Sequence, residues 1–379
     1  MIDSVLVIKV CVIFSLLFSL IVILITLPKQ RFVKLWERMD FRGKVDGKYP
    51  KYLGKHAISP YIKELRFRSG IPLDDWKKIQ GQLEVSFKKE IYSIERDKED
   101  ITVIIVFVIE KNLPKFIPWD DKYLTDGAKF AIGESYKGPI IWDASTMPHG
   151  LIAGSTGSGK TGIHRCIIHQ AIKKYWNINV LDFKGGGDFT DVEREAAEKY
   201  RDLEKGYGTI LISDPKKARD LLMALTVEAK GRLEIFKKAG VANIDEYNES
   251  GQGHFVPWLV VIDEAAELLD VKPKDKAEKE MYSEIDHDLR TLARTTRAAG
   301  IHILMNIIRP SADVLDGQIK NNLLWRACGY FSDPSASRIV LDNDRATQLP
   351  TEIKGRFIVG DEETQVYYMP PAQKPGPEE

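Results

Sequence analysis

Short apolar runs alternate with helical stretches from Pro148 onward. The runs predict strands, which are Leu151–Ala153, Ile178–Phe183, Thr209–Ile212, Leu259–Asp263 and Ile301–Ile307. Strands that alternate with helices in this way form a parallel sheet with helices on both faces. We therefore expect a large α/β domain over residues 126–369.

The N-terminal region carries an apolar run, Val10–Leu27, of eighteen residues without a charge. At about 1.5 Å per helical residue, and with the apolar residues before Lys9, this run spans a bilayer core of about 30 Å. A cleaved signal peptide is the alternative, but the run exceeds the usual length and no A-x-A-like site follows it. Residues 1–28 are therefore expected to form a transmembrane anchor.

The segment after the anchor is basic, with nine Lys/Arg and three acidic residues between Lys29 and Lys55. The positive-inside rule then predicts a single-pass protein of the cell membrane whose bulk is cytoplasmic. Contact of this segment with anionic headgroups is the simplest explanation of its charge.

Residues 29–125 predict a small α/β module behind the anchor. A helix is expected over Leu73–Phe87, and strands at Ile91–Glu95 and Ile101–Glu110. The segment Lys129–Asp143 predicts a hairpin with its turn near Glu134–Gly138, and the Pro-rich residues 370–379 predict a frayed tail.

Composition leaves the partner class open. The 379 residues contain 55 Lys+Arg and 55 Asp+Glu, so the formal net charge is zero. Binding of an acidic polymer such as DNA would therefore have to depend on a local cluster of basic residues. His164, Cys166 and His169 are close in sequence but point in different directions on a helix, which favours packing or exposure over metal binding.

A glycine-rich sequence, GSTGSGKT, lies between a short strand and a helical stretch. It fits the phosphate-binding loop pattern, whose backbone N–H groups hold a β-phosphate at a helix N-terminus. The expected nucleotide ligands are Gly154, Ser155, Thr156, Gly157, Ser158, Gly159, Lys160 and Thr161. Lys160 would bridge the β- and γ-phosphates of ATP, and the Thr161 hydroxyl would bind Mg²⁺. The large domain is therefore expected to be a RecA-like P-loop ATPase.

A second motif, WLVVIDEAAEL, places two acids at the end of an apolar strand. Ligands of open α/β sheets bind at the carboxyl ends of the strands, so Asp263 and Glu264 are expected beside the phosphate loop. Asp263 would hold Mg²⁺ through water, and Glu264 would be the general base for the attacking water.

Three arginines, Arg290, Arg294 and Arg297, follow at helical spacing on a helix expected to end near Gly300. They are predicted to share one face. A solvated surface is one interpretation of that face, and contact with DNA phosphates or with a neighbouring subunit is the other.

These blocks together resemble the FtsK/SpoIIIE family of DNA-pumping ATPases. The resemblance covers about Gly133 to Gly360 and includes PHGLIAGSTGSGKT, LDFKGG, VVIDEAAEL and RAAGIHILMNIIRPSADVLDGQIKNN. Within the family, the short form with an anchor and its own small module is most similar to TcpA-type coupling proteins of Gram-positive conjugative plasmids and integrative elements.

The resemblance implies a homo-hexameric ring that passes duplex DNA through its centre, with relaxase or transfer-channel proteins as partners. It also implies that an arginine completes the neighbour's ATP site, and the candidates are Arg294, Arg297, Arg326 and Arg338.

Two features depart from the family. Ile307 and Ile308 replace the Thr-Gln pair that usually precedes the Arg-Pro of the sensor strand, so Asn306 is the nearest polar substitute, displaced by roughly 7 Å. The sequence also has no room after the motor for a winged-helix domain, which predicts DNA binding without sequence preference.

Two other functions remain open. FtsK-like ATPases also drive protein secretion, although typically with tandem motor domains. A nucleotide-binding membrane adaptor with little turnover is the second alternative, because the usual sensor glutamine is replaced.

Overall fold

The computed structural model describes residues 30–184, 187, 189–200, 210–311, 314–315 and 317–370. The apolar run Val10–Leu27 and nearly all of the Pro-rich tail lie outside these ranges, so the predictions made for them stay predictions. Within the described ranges, no helix combines the length and the apolar character that crossing a membrane requires.

The chain divides into two compact units, Met1–Asn112 and Leu113–Glu379. The division falls earlier than the boundary expected at residue 125. The reason is that a short strand, Ile117–Pro118, pairs with Glu362–Tyr368 near the end of the large unit. This long-range pairing assigns the residues after Asn112 to the large unit.

The first unit contains a four-stranded antiparallel sheet with the strand order β1-β2-β4-β3. Its elements are α1 (residues 30–39), β1 (Lys51–Ala57), β2 (Ile62–Arg68), α2 (Leu73–Lys78), α3 (Gln80–Phe87), β3 (Ile91–Arg96) and β4 (Val103–Ile109).

The elements predicted for this unit are present, with one interruption. The helix expected over Leu73–Phe87 divides at Ile79, which ends α2 and precedes α3. The fully buried rings of Trp36, Phe67 and Trp76 form the core, with centroids 5.3 to 5.4 Å apart. Helix α1 and strands β1 and β2 were not predicted. The residues of β1 are exposed or half-buried and carry no continuous apolar pattern.

The second unit contains the elements of the large domain. Its strands are β5 (Ile117–Pro118), β6 (Lys129–Ser135), β7 (Gly138–Asp143), β8 (Gly150–Ala153), β9 (Asn177–Asp182), β10 (Ile210–Ile212), β11 (Trp258–Asp263), β12 (Ile301–Ile307), β13 (Trp325–Gly329), β14 (Arg356–Val359) and β15 (Glu362–Tyr368). Its α-helices are α4 (Lys160–Lys173), α5 (Thr190–Lys199), α6 (Pro215–Ala239), α7 (Ile244–Glu249), α8 (Ala266–Leu269), α9 (Lys276–Thr295), α10 (Gly317–Asn322) and α11 (Pro334–Leu341).

The large sheet is mixed rather than wholly parallel. Its strand order is β10-β9-β11-β12-β8-β13-β14-β15-β6-β7, with β5 added beside β15. Pairing is parallel from β10 to β13 and antiparallel from β13 to β7. The predicted parallel sheet is therefore confirmed for one half, and the predicted hairpin β6–β7 joins the same sheet through β15.

Helices cover both faces of the parallel half, as expected. Leu259 and Val261 of β11 pack in one apolar cluster with residues of α4 and α5. Val260 and Ile262 pack in the cluster on the other face with residues of α6 and α9. Because successive strand residues point to opposite faces, the apolar run Leu259–Ile262 of β11 is buried on both faces and lies at the centre of this core.

Candidate active site

The phosphate-binding loop lies where the sequence predicts it, between β8 and the first turn of α4. Gly159 precedes the helix with φ of 106°, and a Cβ at this position would approach the backbone nitrogen of Gly355 to 2.8 Å. Glycine is therefore required there by both the backbone conformation and the available space.

The loop is held by the antiparallel half of the sheet. The Ser155 amide donates to the Tyr330 carbonyl at 3.0 Å, and the Gly355 amide donates to the Ser158 carbonyl at 2.8 Å. Tyr330 follows β13, and Gly355 precedes β14. No local signal in the sequence identified these contacts, because they join segments that are far apart along the chain.

Lys160 is buried inside the loop. Its Nζ donates to the carbonyls of Gly154 and Ser155, at 2.7 and 3.0 Å. Burial lowers the pKa of this ammonium to about 8. An anionic phosphate in the loop would stabilise the charged form of Lys160. This agrees with the expectation that Lys160 binds the β- and γ-phosphates.

The two acids of the second motif lie at the carboxyl end of β11. Asp263 is the last residue of the strand and pairs in register with Asp182 of β9. The next residue, Glu264, adopts a left-handed backbone conformation with φ of 70°. Such a conformation is costly for a residue with a side chain and is concentrated at functional sites.

Both acids are held by the neighbouring strand β12 and the residues after it. The Asn306 amide Nδ2 donates to Asp263 Oδ1 at 2.8 Å, and the Ile308 backbone amide donates to Glu264 Oε1 at 3.4 Å. Asn306, the expected sensor substitute, therefore contacts Asp263, the acid expected to bind Mg²⁺, directly.

Lys184, which the sequence analysis did not single out, bridges the two acids. Its Nζ lies 3.5 Å from Asp263 Oδ2 and 3.3 Å from Glu264 Oε2. Burial disfavours the charge of Lys184, but attraction to the two carboxylates outweighs it and raises the pKa. The LDFKGG block, part of the family resemblance, was the signal that could have identified this residue.

His164 is packed in the interior, one of the two outcomes expected for it, and there it lies beside Asp263. Its ring is fully buried on α4, and Nδ1 lies 3.6 Å from Asp263 Oδ1. Burial lowers the pKa of His164 to about 4, so the ring is neutral at physiological pH. Neither ring nitrogen has a hydrogen-bond partner within the described residues.

The residues present fit a nucleotide with Mg²⁺. A hydroxyl at Thr161 and a carboxylate at Asp263 are the donor types that Mg²⁺ takes beside substrate phosphates. Ser158 Oγ and Asn306 Oδ1 are buried polar atoms without a partner in the described part of the chain, so acceptor and donor capacity remains at the site. Thr161 and Asp263 would hold the ion.

The predicted arginine face is wrong in one member. Helix α9 ends at Thr295, with Thr296 as its C-terminal cap, and the Thr296 hydroxyl lies within hydrogen-bond distance of the Leu292 and Ile301 carbonyls. Arg297 therefore lies outside the helix, and its Nε donates to the Ser145 carbonyl at 3.0 Å.

The remaining arginines differ in their availability. Arg290 pairs with Asp286 at 2.8 Å, whereas Arg294 is exposed on α9. Arg326 donates to the backbone carbonyls of Lys320, Leu323 and Val340 and pairs with Asp342. The Arg338 side chain is 61% exposed. Arg294, Arg297 and Arg338 are exposed, which suits contact with another molecule. Arg297 already bonds Ser145 and Arg338 pairs with Asp344 at 3.2 Å, whereas Arg294 has no ion pair within the described residues.

The sequence model of the FtsK/SpoIIIE family matches residues 125–312. The chain is 30% identical over 277 residues to the DNA translocase FtsK of Oceanobacillus iheyensis, and 33% identical over 227 residues to the DNA translocase SftA of Bacillus subtilis. These alignments cover 65% and 58% of this chain but 33% and 22% of the relatives. The chain therefore spans about a third or less of the length of these curated relatives.

Among solved structures, the chain is similar to the pCW3 conjugation coupling protein TcpA in its monomer form with ATPgS. The identity is 35% and the TM-score 0.64, and the match covers 90% of this chain and 94% of that one. A likeness to ATPases 2 and 3 of EssC from Geobacillus thermodenitrificans, with 18% identity, a TM-score of 0.51 and coverage of 71% and 49%, concerns the fold alone. The family match, the TcpA likeness and the geometry of the loop and acids agree, and the chain belongs to the FtsK/SpoIIIE family of P-loop ATPases.

Proposed function

We propose that this protein is a membrane-anchored, ATP-driven DNA translocase that acts as a coupling ATPase in conjugative DNA transfer. The observation that carries the proposal is the meeting of the phosphate loop with Asp263 and Glu264 at one edge of the sheet. Similarity to a conjugation coupling protein over 94% of its chain supports the choice of DNA as the substrate.

The chain's own residues divide the work of hydrolysis. Lys160 holds the β- and γ-phosphates, and Glu264 accepts the proton of the attacking water. Asn306 fixes the carboxylate of Asp263. Mg²⁺, held by Thr161 and Asp263, would neutralise charge that develops on the phosphate oxygens.

Strand β12 links the site to the rest of the motor. The side chain of Asn306, on this strand, contacts Asp263, and the backbone amide of Ile308, just after it, contacts Glu264. A shift of β12 would therefore move both acids, which offers a route for coupling in the absence of the family's sensor glutamine.

The proposed assembly is a homo-hexamer around duplex DNA, fixed to the cell membrane by Val10–Leu27, with a relaxase or transfer-channel proteins as partners. Exposed Arg294 and Arg338 are the proposed sources of contact with DNA phosphates or with the neighbour's nucleotide. Motor and small module would be cytoplasmic.

One observation favours a second candidate, a nucleotide-binding membrane adaptor with little turnover. Glu264 Oε2 lies 3.3 Å from the Lys184 ammonium and Oε1 accepts from the Ile308 amide, so both carboxylate oxygens are engaged before an attacking water arrives. Protein secretion gains no comparable support, because the likeness to EssC concerns the fold alone.

Steady-state ATP hydrolysis with and without duplex DNA separates these functions. For a translocase, we expect DNA to raise turnover severalfold and ATP to drive removal of a protein roadblock from linear DNA. Turnover that is the same with and without DNA would favour an ATPase of protein secretion. ATP binding without turnover would establish the nucleotide-binding adaptor.

A further inference from the structure

The hydrophobic core of the small unit is open at one end. Four apolar side chains that pack against this core remain half-exposed, and these are Phe32, Tyr52, Leu65 and Phe87. The Phe32 ring lies 4.7 Å from Tyr52 and 5.8 Å from Phe87, between ring centroids. Together with Val108, these side chains form the apolar floor of a cavity of about 570 Å³, which we call the module cavity.

The mouth of the module cavity is cationic. Its charged lining residues are Arg31, Lys55, Lys63, Lys89 and Glu110. Glu110 Oε2 lies 3.3 Å from Lys63 Nζ and 3.6 Å from Lys89 Nζ, so a single negative charge is shared between two positive ones. Within the described residues, Arg31 and Lys55 form no ion pair. An anionic group is therefore favoured at the mouth, directly beside an apolar floor.

The sequence places this cavity close to the predicted anchor. Leu27, the last residue of the apolar run, is four positions before Arg31. Even a fully extended chain limits their separation to about 14 Å. If the run spans the bilayer, Arg31 therefore lies within reach of the headgroup layer.

We propose that the module cavity binds an anionic phospholipid, with an acyl chain against the aromatic floor and the phosphate among the cations of the mouth. A cavity of this size suits a small amphiphilic ligand. Duplex DNA offers phosphates to the same cations, but it has no apolar part that could enter the floor. The inference uses the membrane anchor of the proposed function as the reason that lipid is at hand.

The test uses the full chain in phosphatidylcholine vesicles that contain phosphatidylglycerol with a photoreactive acyl chain. We expect labelling in the peptides that contain Tyr52, Leu65 and Phe87. The double variant Arg31→Glu with Lys55→Glu should lose about tenfold or more of this labelling. A control with the same change in net charge, Lys77→Glu with Lys98→Glu, replaces exposed lysines outside the cavity and should retain it.

A second variant, Leu65→Trp, fills the floor without changing charge and should also abolish labelling at Tyr52 and Phe87. Equal loss in the control pair, or equal labelling by photoreactive phosphatidylcholine, would overturn the proposal, as would labelling confined to residues 1–29. Alkaline carbonate extraction tests the anchor separately. Extraction of a labelled chain from the vesicles would reject the anchor while leaving the lipid site in place.

Discussion

Asn306 donates a hydrogen bond of 2.8 Å to Asp263, across two neighbouring parallel strands. Both side chains are buried, at 2% and 4% exposure, so water cannot replace this bond easily. Strand β12 thus restrains Asp263, the acid expected to position Mg²⁺. Asp263 lies at the carboxyl end of β11, on the same edge of the sheet at which the phosphate loop follows β8.

Replacing Asn306 by Ala should lower DNA-stimulated turnover roughly ten- to hundredfold, since a hydrogen bond to a charged group is lost. The KM for ATP should change much less, because the phosphate loop is intact. The matched control is Asn179→Ala on β9, a buried amide without a partner in the described residues. Equal effects of both variants on turnover would indicate general destabilisation instead.

The phosphate loop and the general base should separate in binding and hydrolysis assays. We expect Lys160→Ala to abolish ATP binding and turnover, because the charge that holds the phosphates is removed. Glu264→Gln should bind ATP but not hydrolyse it, since only the base is lost. Half or more of the normal turnover in Glu264→Gln would exclude Glu264 as the base.

Removing Lys184 should release Glu264. We expect Lys184→Ala to raise hydrolysis in the absence of DNA severalfold and to reduce the ratio of DNA-stimulated to basal turnover. The physical reason is that Glu264 Oε2, now 3.3 Å from the Lys184 ammonium, would be free to accept a hydrogen bond from the attacking water. Lys237→Ala, at an exposed position on α6, is the control. A raised KM for ATP with unchanged basal turnover would assign Lys184 to phosphate binding instead.

DNA binding should depend on phosphates and not on sequence. Affinity should fall by about 0.9 log unit per log unit of salt for each phosphate neutralised. We expect Arg294→Ala to flatten this slope equally for unrelated duplexes, whereas Arg326→Ala, at a residue held by carbonyls and Asp342 of its own chain, should leave it unchanged. A preference of more than about tenfold for one duplex would contradict sequence-independent binding.

Buried histidines should make the large unit sensitive to mild acid. Burial lowers the pKa of His149 to about 3 and that of His302 to about 4, from 6.5. Above pH 6.5 neither folded nor unfolded chain binds the protons. Below it only the unfolded chain does, so the free energy of unfolding falls by about 1.4 kcal/mol per histidine at pH 5.5.

Thermal scans between pH 7.5 and 5.5 measure this loss. The variant His302→Gln should show a shallower fall in Tm than the wild type over that interval. His254→Gln, at an exposed position, should match the wild type. An identical pH dependence in all three proteins would contradict the assignment.

Local patterns in the sequence were sufficient to predict the strands of the parallel half other than β13, the hairpin, the phosphate loop and the two acids. Each of these depends on residues that are neighbours in sequence. The contacts of Lys184 and Gly355 depend on pairing between distant strands, and no local pattern encodes that pairing. Gly300 suggested the end of α9, but the helix ends earlier, at Thr295, so Arg297 lies outside it.

The close approach of Gly159 to Gly355 has a consequence for how the protein is made. A nascent chain acquires its phosphate loop early, but it acquires the segment that supports the loop only after the ribosome has reached β14. Until then the loop lacks the contact from Gly355, and the hairpin β6–β7 lacks strands β14 and β15, through which it joins the rest of the sheet. The phosphate loop is therefore synthesised before the segment that supports it, and a nascent chain that stops short of β14 has an incomplete ATP site.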